Sequence, residues 1–368
     1  MHEADIRFLK LALALARQGT GTCWPNPSVG CVIVKDGRIV GRGRTAPGGR
    51  PHAERAALDQ AGTATRGATA YVSLEPCCHH GQTPPCADAL IEAGIARVVV
   101  PIVDPHPNVS GGGFEALRTA GLIVETGLLA QEAEDVLSGF LTRVRLGRPW
   151  VTLKLATSFD GRIATASGHS QWITGPEARR WVHAMRARHD AVMVGAGTVR
   201  ADDPSLTVRD LGVTHQPVRI AVSRRLDLPL MSNLARTARD VPVWLCHGPD
   251  ADASLVEAWN GVGAELLTCQ LTGRQLNLTS VLMELGQKGL TRVFCEGGGA
   301  LAASLLAEGL VDELVGFTAG LAIGAEGRPG VGALGLDRLD NGRRFRLVES
   351  RAVGSDVMHR WVAQHESE

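Results

Sequence analysis

Two short segments constrain this chain more than anything else in it: RPHAERAAL at 50–58 and SLEPCCHHGQTPPCADAL at 73–90. They place six metal-capable side chains, His52, Cys77, Cys78, His79, His80 and Cys86, within 35 residues. A catalytic zinc takes three protein ligands and keeps one position open, whereas a structural zinc takes four. Whatever fold the chain adopts must bring these segments together.

Local structure selects among the six. His52 and Glu54 fall at a helix start just after the Gly48-Gly49 turn, so both can face one point. Cys77 leaves the strand YVSL through Pro76, and Cys86 follows Pro84-Pro85, where proline favours the first helical turn. A thiolate there gains from the helix dipole, which lowers its pKa. His52, Cys77 and Cys86 are therefore the expected ligands of one zinc ion per chain, with a fourth position left for water. Zinc lowers the pKa of water from about 15.7 to about 7, and Glu54 is placed to shuttle the proton. H-x-E followed by P-C and a later Cys resembles the zinc nucleobase deaminases. Here eight residues separate Cys77 from Cys86. Cys78, His79 and His80 lie in that excursion and point away, with His79 a candidate to line the pocket. The competing reading, a closed structural zinc, would leave Glu54 idle.

With 368 residues the chain is longer than one core normally fills, so two domains are expected. A formal net charge of zero argues against nucleic acid or a membrane surface as the main partner. Eight cysteines spread over 368 residues do not make a disulfide framework, and the cluster of Cys77, Cys78 and Cys86 beside histidines indicates metal in a reducing compartment. The segment MHEADIRFLKLALALARQG reads as an amphipathic helix, since acids precede its apolar run and Lys10 interrupts it. No run approaches the roughly 18–20 apolar residues of a membrane span, and a cytoplasmic location is expected.

Helical and strand patterns alternate through the first half: a helix at 5–19, SVGCVIV, a KDGR turn, IVGRGR, a helix from His52, TAYVSL, a helix after Pro85, ARVVVPIV, and helices near Phe114 and Gln131. This implies an α/β layer. Gly147 and Pro149 break the last helix, and a new strand series follows: WVTLKLA, DAVMVGA, PVRIAVS, VPVWLC, AELLTC, TRVFCEG, ELVGFT and two C-terminal strands. Domains at 1–147 and 148–368 are expected.

The second half has chemistry of its own. VFCEGGGALAASLL runs a buried strand through glycines into a helix, where backbone N–H groups can approach a diphosphate. Such turns also occur without a ligand, and this one is not G-x-G-x-x-G. AVSRRLDLP sets Ser223, Arg224 and Arg225 at another strand end, suited either to an adenosine 2′-phosphate or to a solvated turn. Thr198, Asp202 and Arg209 share one loop region, and Arg186 ends the preceding helix, where a cation is also favoured by the dipole alone.

PNPSVG, HAE, LEPCCHHGQTPPC, RPWVTLKLATSFDGRIATASGHSQWITG, VGAGTVRADDPSLTVR and EGGGAL together resemble the bifunctional riboflavin-biosynthesis deaminase/reductases across nearly the whole chain. The resemblance implies a cytidine-deaminase-like zinc domain followed by a dihydrofolate-reductase-like domain. It implies zinc-assisted deamination of a diaminopyrimidinone ribosyl phosphate, then NADPH-dependent reduction of the ribosyl chain to ribityl. It matches His52, Cys77 and Cys86 to the zinc ligands, Glu54 to the proton shuttle and Asn26 to the pocket. Lys154, Ser170, Arg186, Leu206, Arg209 and Glu296 match the reductase substrate site. Ala156, Trp172, Thr198, Asp202, Ser223 and the turn Gly298, Gly299, Ala300, Leu301, Ala302, Ala303 and Ser304 match the NADPH site. The chain departs from the family at Thr45, Gln82 and Gly112, where histidine or a basic residue is common; Arg42, Arg44 and Arg50 lie near enough to substitute. Small-molecule substrates and a homo-oligomer are the expected partners. A monofunctional nucleoside or tRNA deaminase with a degenerate second domain is the alternative, opposed by zero net charge and the near-continuous reductase motifs. A non-enzymatic protein using zinc as a staple is opposed by Glu54.

Overall fold

Alternating apolar residues on one strand organise the first half. Cys31 and Ile33 point to one face of the sheet while Val32 and Val34 point to the other, and all four are buried. Such a strand needs cover on both sides. The computed structural model describes residues 3–79 and 84–364, which form two compact units, Met1–Gly147 and Arg148–Glu368.

In the first unit, α1 (Glu3–Gln18) precedes the hairpin β1 (Gly30–Lys35) and β2 (Arg38–Arg44). Then come α2 (Ala53–Ala61), β3 (Thr69–Val72), α3 (Cys86–Glu92), β4 (Arg97–Val100), α4 (Gly112–Thr119), β5 (Ile123–Thr126) and α5 (Ala130–Leu146). The sheet order is β2-β1-β3-β4-β5, with β1 antiparallel to both neighbours and β3, β4 and β5 parallel. One face packs Phe8, Leu9 and Ala12 of α1 against Val32, Val34, Tyr71 and Val99. The other carries α2, α3 and α4 through Ala57, Leu58, Ala87, Leu90, Phe114 and Leu117. Two glycines let α2 lie directly on β2: a Cβ at Gly41 or Gly43 would run into the carbonyls of Ala57 and Ala53. That close approach fixes where α2 begins, and so where His52 and Glu54 stand.

The second unit opens with β6 (Trp150–Ser158), β7 (Arg162–Ala164), α6 (Pro176–Arg186), β8 (Ala191–Gly195), α7 (Ala196–Asp202), β9 (Val218–Val222), α8 (Asn233–Arg236), β10 (Val243–His247), α9 (Ala253–Val262) and β11 (Glu265–Thr268). It continues with β12 (Leu271–Thr272), β13 (Gln275–Leu276), α10 (Leu278–Gln287), β14 (Arg292–Cys295), α11 (Gly299–Ala307), β15 (Glu313–Ala319), β16 (Arg328–Pro329), β17 (Phe345–Val353) and β18 (Asp356–Ala363). Nine strands form one sheet, β11-β10-β9-β8-β14-β6-β15-β18-β17. It is parallel from β11 to β15, and β18 and β17 close it as an antiparallel hairpin. The central strands read as continuous apolar runs because helices cover both faces; Val192, Met193, Val194, Val293 and Phe294 have no exposed surface.

The α/β class expected from the alternation is present in both units. Of the small elements, β5 and the short pairs β7–β16 and β12–β13 were not expected, and each lacks an apolar run long enough to announce it. Among the described residues no helix is long and apolar enough to cross a membrane.

Candidate active sites

His52 caps α2 from an extended conformation and makes no side-chain cap hydrogen bond, which leaves its ring free. Cys86 is the first residue of α3, after Pro85. Cys77 follows β3 and is anchored at both ends: its carbonyl accepts the Ala87 N–H at 3.1 Å and its sulfur the Cys86 N–H at 3.3 Å. The three donor atoms lie within 4.8 Å of one another. His52 Nδ1 stands 3.3 Å from Cys86 Sγ and 3.7 Å from Cys77 Sγ. Tetrahedral zinc, with bonds of roughly 2.0–2.3 Å, needs donor separations of about 3.6 Å. The trio fits a zinc ion and leaves one position to spare.

The electrostatics favour a cation there. The Cys86 thiol donates to Cys77 and, with His52 and the Cys86 N–H, lowers the Cys77 pKa to about 4 against the opposing effect of burial. Donation to Cys77, followed by burial, pushes the Cys86 thiol up. A divalent ion displaces the proton that the two sulfurs share. Glu54 is 4% exposed, and burial, then the nearby Cys77, raise its pKa to about 7. A carboxyl poised there both takes and gives a proton near neutrality.

Cys78 turns away from this trio toward the carbonyls of Asn108 and Val109, at 3.8 and 3.9 Å. The His79 ring stacks on that of His106, centroids 6.5 Å apart. His80 and Gln82 lie outside the described residues. Asn26 donates to the Gly49 carbonyl at 3.0 Å, beside the turn that leads to His52. Thr45 is buried, accepting the Val29 N–H at 2.9 Å and donating to the Pro27 carbonyl at 3.1 Å. A Cβ at Gly112 would stand 2.8 Å from Cys78 Sγ. Of the nearby arginines, Arg44 donates to the Gln18 carbonyl at 2.8 Å. Glu75, which the motif reading passed over, accepts the N–H groups of Asp104, Gly111, Gly113 and Phe114 at 2.9–3.2 Å. It shapes the loop against which Cys78 packs.

In the second unit the C-terminal ends of β6, β8, β9 and β14 share one edge, the place where open parallel sheets bind ligands. Ala156 lies on β6, Thr198 on α7 just after β8, Ser223 just after β9, and Glu296 with the glycine turn just after β14. A Cβ at Gly298 would stand 3.5 Å from Thr198 Oγ1, so that turn and Thr198 face each other. Asp202 ends α7 and is exposed. Ala300, Leu301, Ala302, Ala303 and Ser304 continue α11, with Ala300 exposed and Ala302 fully buried. Ser170 and Trp172 sit on the loop between β7 and α6; Trp172 is 68% exposed and lies under the Arg179 guanidinium, 4.5 Å from the ring centroid. Ser223 is buried and donates to Asp227 at 3.1 Å, while Arg224 is ion-paired with Asp250.

A cationic group gathers beside this edge. Arg186 binds Glu296 through two bonds of 2.5 and 3.0 Å and donates to the Thr207 carbonyl at 2.8 Å. Burial pushes the Glu296 carboxyl up, but Arg186 and Lys154 hold it below its ordinary range. Burial lowers the Lys154 pKa against the pull of Glu296. His183, one turn before Arg186 on α6, accepts the Arg209 N–H at 3.3 Å. Its pKa is lowered by burial, then by Arg186 and Arg209. Leu206 is buried with a φ of 54°, a strained left-handed backbone that turns the loop carrying Arg209 toward α6. Lys154, Arg186 and Arg209 outnumber the one carboxylate, so the site suits an anion. The i, i+3 spacing of His183 and Arg186 was a signal for His183 that motif reading missed.

Comparison with known proteins covers both units. Residues 2–102 match the cytidine and deoxycytidylate deaminase zinc-binding region, and residues 149–359 match the RibD C-terminal domain. The chain is 43% identical over 363 residues to riboflavin biosynthesis protein RibD of Escherichia coli K12, covering 96% of this chain and 98% of that one. It resembles the structure of Acinetobacter baumannii RibD with a TM-score of 0.88 at 38% identity, covering 99% of each chain. It also resembles a diaminohydroxyphosphoribosylaminopyrimidine deaminase/5-amino-6-(5-phosphoribosylamino)uracil reductase of Thermotoga maritima, with a TM-score of 0.86 at 35% identity, covering 99% of each chain.

Proposed function

This chain belongs to the RibD family of bifunctional riboflavin-biosynthesis deaminase/reductases, and from that premise we propose which of its residues carry each step. The enzyme hydrolytically deaminates diaminohydroxyphosphoribosylaminopyrimidine and then reduces 5-amino-6-(5-phosphoribosylamino)uracil with NADPH, opening the ribosyl chain to ribityl. We assign deamination to residues 1–147 and reduction to 148–368.

The observation that carries the first assignment is the trio His52, Cys77 and Cys86 with buried Glu54 beside it. The trio would hold zinc, which when bound would acidify water to a pKa of about 7 and so supply the nucleophile. Glu54 takes one proton from water as its oxygen bonds to the amine-bearing ring carbon and gives it to the ring nitrogen; it then takes the proton of the new hydroxyl and gives it to the amine, which leaves as ammonia as the C–N bond breaks. Asn26 borders the base. In the second unit, NADPH when bound would supply hydride to C1′ as the C1′–O4′ bond of the ribose opens, with one proton taken up overall. Lys154, Arg186 and Arg209 bind the ribosyl phosphate, Glu296 orients Arg186, and Leu206 and Ser170 complete that wall. Ala156, Trp172, Thr198, Asp202, Ser223 and residues 298–304 hold the coenzyme.

We also infer a cytoplasmic homo-oligomer that acts on small molecules and binds neither nucleic acid nor membrane, a reading supported by zero net charge. The deciding experiment supplies the diaminopyrimidine substrate with and without NADPH and follows both ammonia and NADPH oxidation. Glu54→Gln should keep its zinc yet release ammonia roughly 10²–10⁴-fold more slowly. The same variant should reduce the deaminated intermediate, supplied directly, at the wild-type rate. Full ammonia release from it would remove Glu54 from the mechanism.

A further inference from the structure

Asp160 lies on the turn between β6 and β7, exposed, and is paired with no cation among its hydrogen-bond partners. Its carboxylate instead accepts from Ser158 Oγ at 2.6 Å, from the Gly324 N–H at 2.7 Å and from the Ile323 N–H at 3.2 Å. Those donors hold its pKa down to about 2, Ser158 first, so it stays ionised at any working pH. The residue before it donates its own N–H to the Leu321 carbonyl at 2.7 Å. The turn therefore grips the chain just after it leaves β15.

That chain runs on as a strap. Arg328 and Pro329 pair with Ala164 and Arg162 as β16 against β7. The Gly330 N–H donates to the Gly161 carbonyl at 2.9 Å, and the Gly332 N–H to the Gly299 carbonyl at 2.9 Å. Gly299 is the first residue of α11, and a Cβ there would stand 2.8 Å from the Pro329 carbonyl. The strap thus crosses from the C-terminal end of β6 to the N-terminus of α11. These are two walls of the crevice assigned above to NADPH.

We propose that Asp160 is a positioning residue for NADPH: by pinning residues 323–324 it keeps the 328–332 strap seated on Gly299, where the coenzyme diphosphate meets α11. This rests on the reductase reading of the second unit. Without the carboxylate, the two N–H groups of 323–324 turn to water and the strap keeps at that end only the Phe159 N–H bond to the Leu321 carbonyl. Gly299 then loses the neighbour that packs its backbone, and the coenzyme binds a pocket that is formed for only part of the time. Apparent affinity falls in proportion to the fraction of time the competent pocket exists.

Titration of full-length, zinc-loaded protein with NADPH, followed by fluorescence, tests this. Asp160→Ala should raise the NADPH Kd on the order of tenfold, and Asp160→Asn, which keeps one acceptor oxygen, by less. Zinc content, ammonia release and the KM for the phosphoribosylamino substrate should stay at wild-type values, which general damage to the fold would not allow. Gly330→Ala attacks the strap separately, because its Cβ would stand 2.9 Å from the Thr157 methyl. It should weaken NADPH similarly, and the double variant should be little worse than either single one, since both act through one element. Wild-type NADPH affinity in Asp160→Ala, or additive losses in the double variant, would overturn the proposal. A wild-type protein that bound no NADPH would overturn the reductase reading together with it.

Discussion

Cys77 and Cys78 are adjacent in sequence, yet the structure gives them opposite surroundings. Cys77 meets His52 and Cys86, while Cys78 faces backbone carbonyls of the 108–109 loop. Cys77→Ser or Cys86→Ser should therefore lose most zinc, and Cys78→Ser should keep one ion per chain, as elemental analysis of purified protein would show. A zinc-free Cys78→Ser beside a zinc-loaded Cys77→Ser would reverse the assignment. This trio was legible because prolines and a glycine turn mark the helix starts that present His52 and Cys86. Glu75 and Asp160 were not legible. Each serves backbone N–H groups far along the chain, and an acceptor for a distant loop leaves no local pattern.

At the scale of elements, the turn after β9 shows how neighbours engage the side chains of a strand end recognised in sequence. The residue types of Ser223, Arg224 and Arg225 suit either an adenosine 2′-phosphate or a solvated turn. In the fold Ser223 gives its hydroxyl to Asp227, and Arg224 is held by Asp250 and by the Arg274 carbonyl at 2.8 Å. Arg225 is exposed at the same strand end. Arg225→Ala should thus weaken NADPH several-fold and leave NADH unchanged, since a charged hydrogen bond to phosphate contributes about 1.5–3 kcal/mol before solvent screening reduces it. Arg224→Ala should affect both coenzymes alike. Reductase kinetics with each coenzyme separate the two, and equal loss in Arg225→Ala would place the phosphate elsewhere. The motif showed a strand end and its residue types; only the packing of the 250 and 274 segments showed which donors are already engaged.

For the whole molecule, each unit buries its own core, around Ile33, Val98 and Phe114 in one and Val192, Leu245 and Trp259 in the other. At the junction Arg148 donates to Asp312 through bonds of 2.7 and 2.9 Å, and the same carboxylate accepts the Val151 N–H at 2.8 Å. The first residue after Gly147 is thus tied to the second unit. Separate expression of 1–147 and 148–368 should give a piece that binds zinc and a piece that binds NADPH. If neither piece stayed soluble while the full chain did, the division into independent folding units would be wrong.

Sequence alone pointed to the His and Cys residues that come together, to the α/β class of both halves and to a break near Gly147. Each depends on local spacing: apolar periodicity, proline and glycine at element ends, and donors adjacent to those ends. Tertiary structure alone decided that Glu54 sits buried with its pKa raised to about 7. It also decided that His183 joins Arg186 and Arg209, and that the 320–332 strap returns to the start of α11. The reason is physical. Burial, ion pairing and the routing of backbone hydrogen bonds depend on which segments meet in space, from His183 and Arg209, 26 residues apart, to Asp160 and Gly324, 164 apart. A local pattern does not say which of these partners will meet.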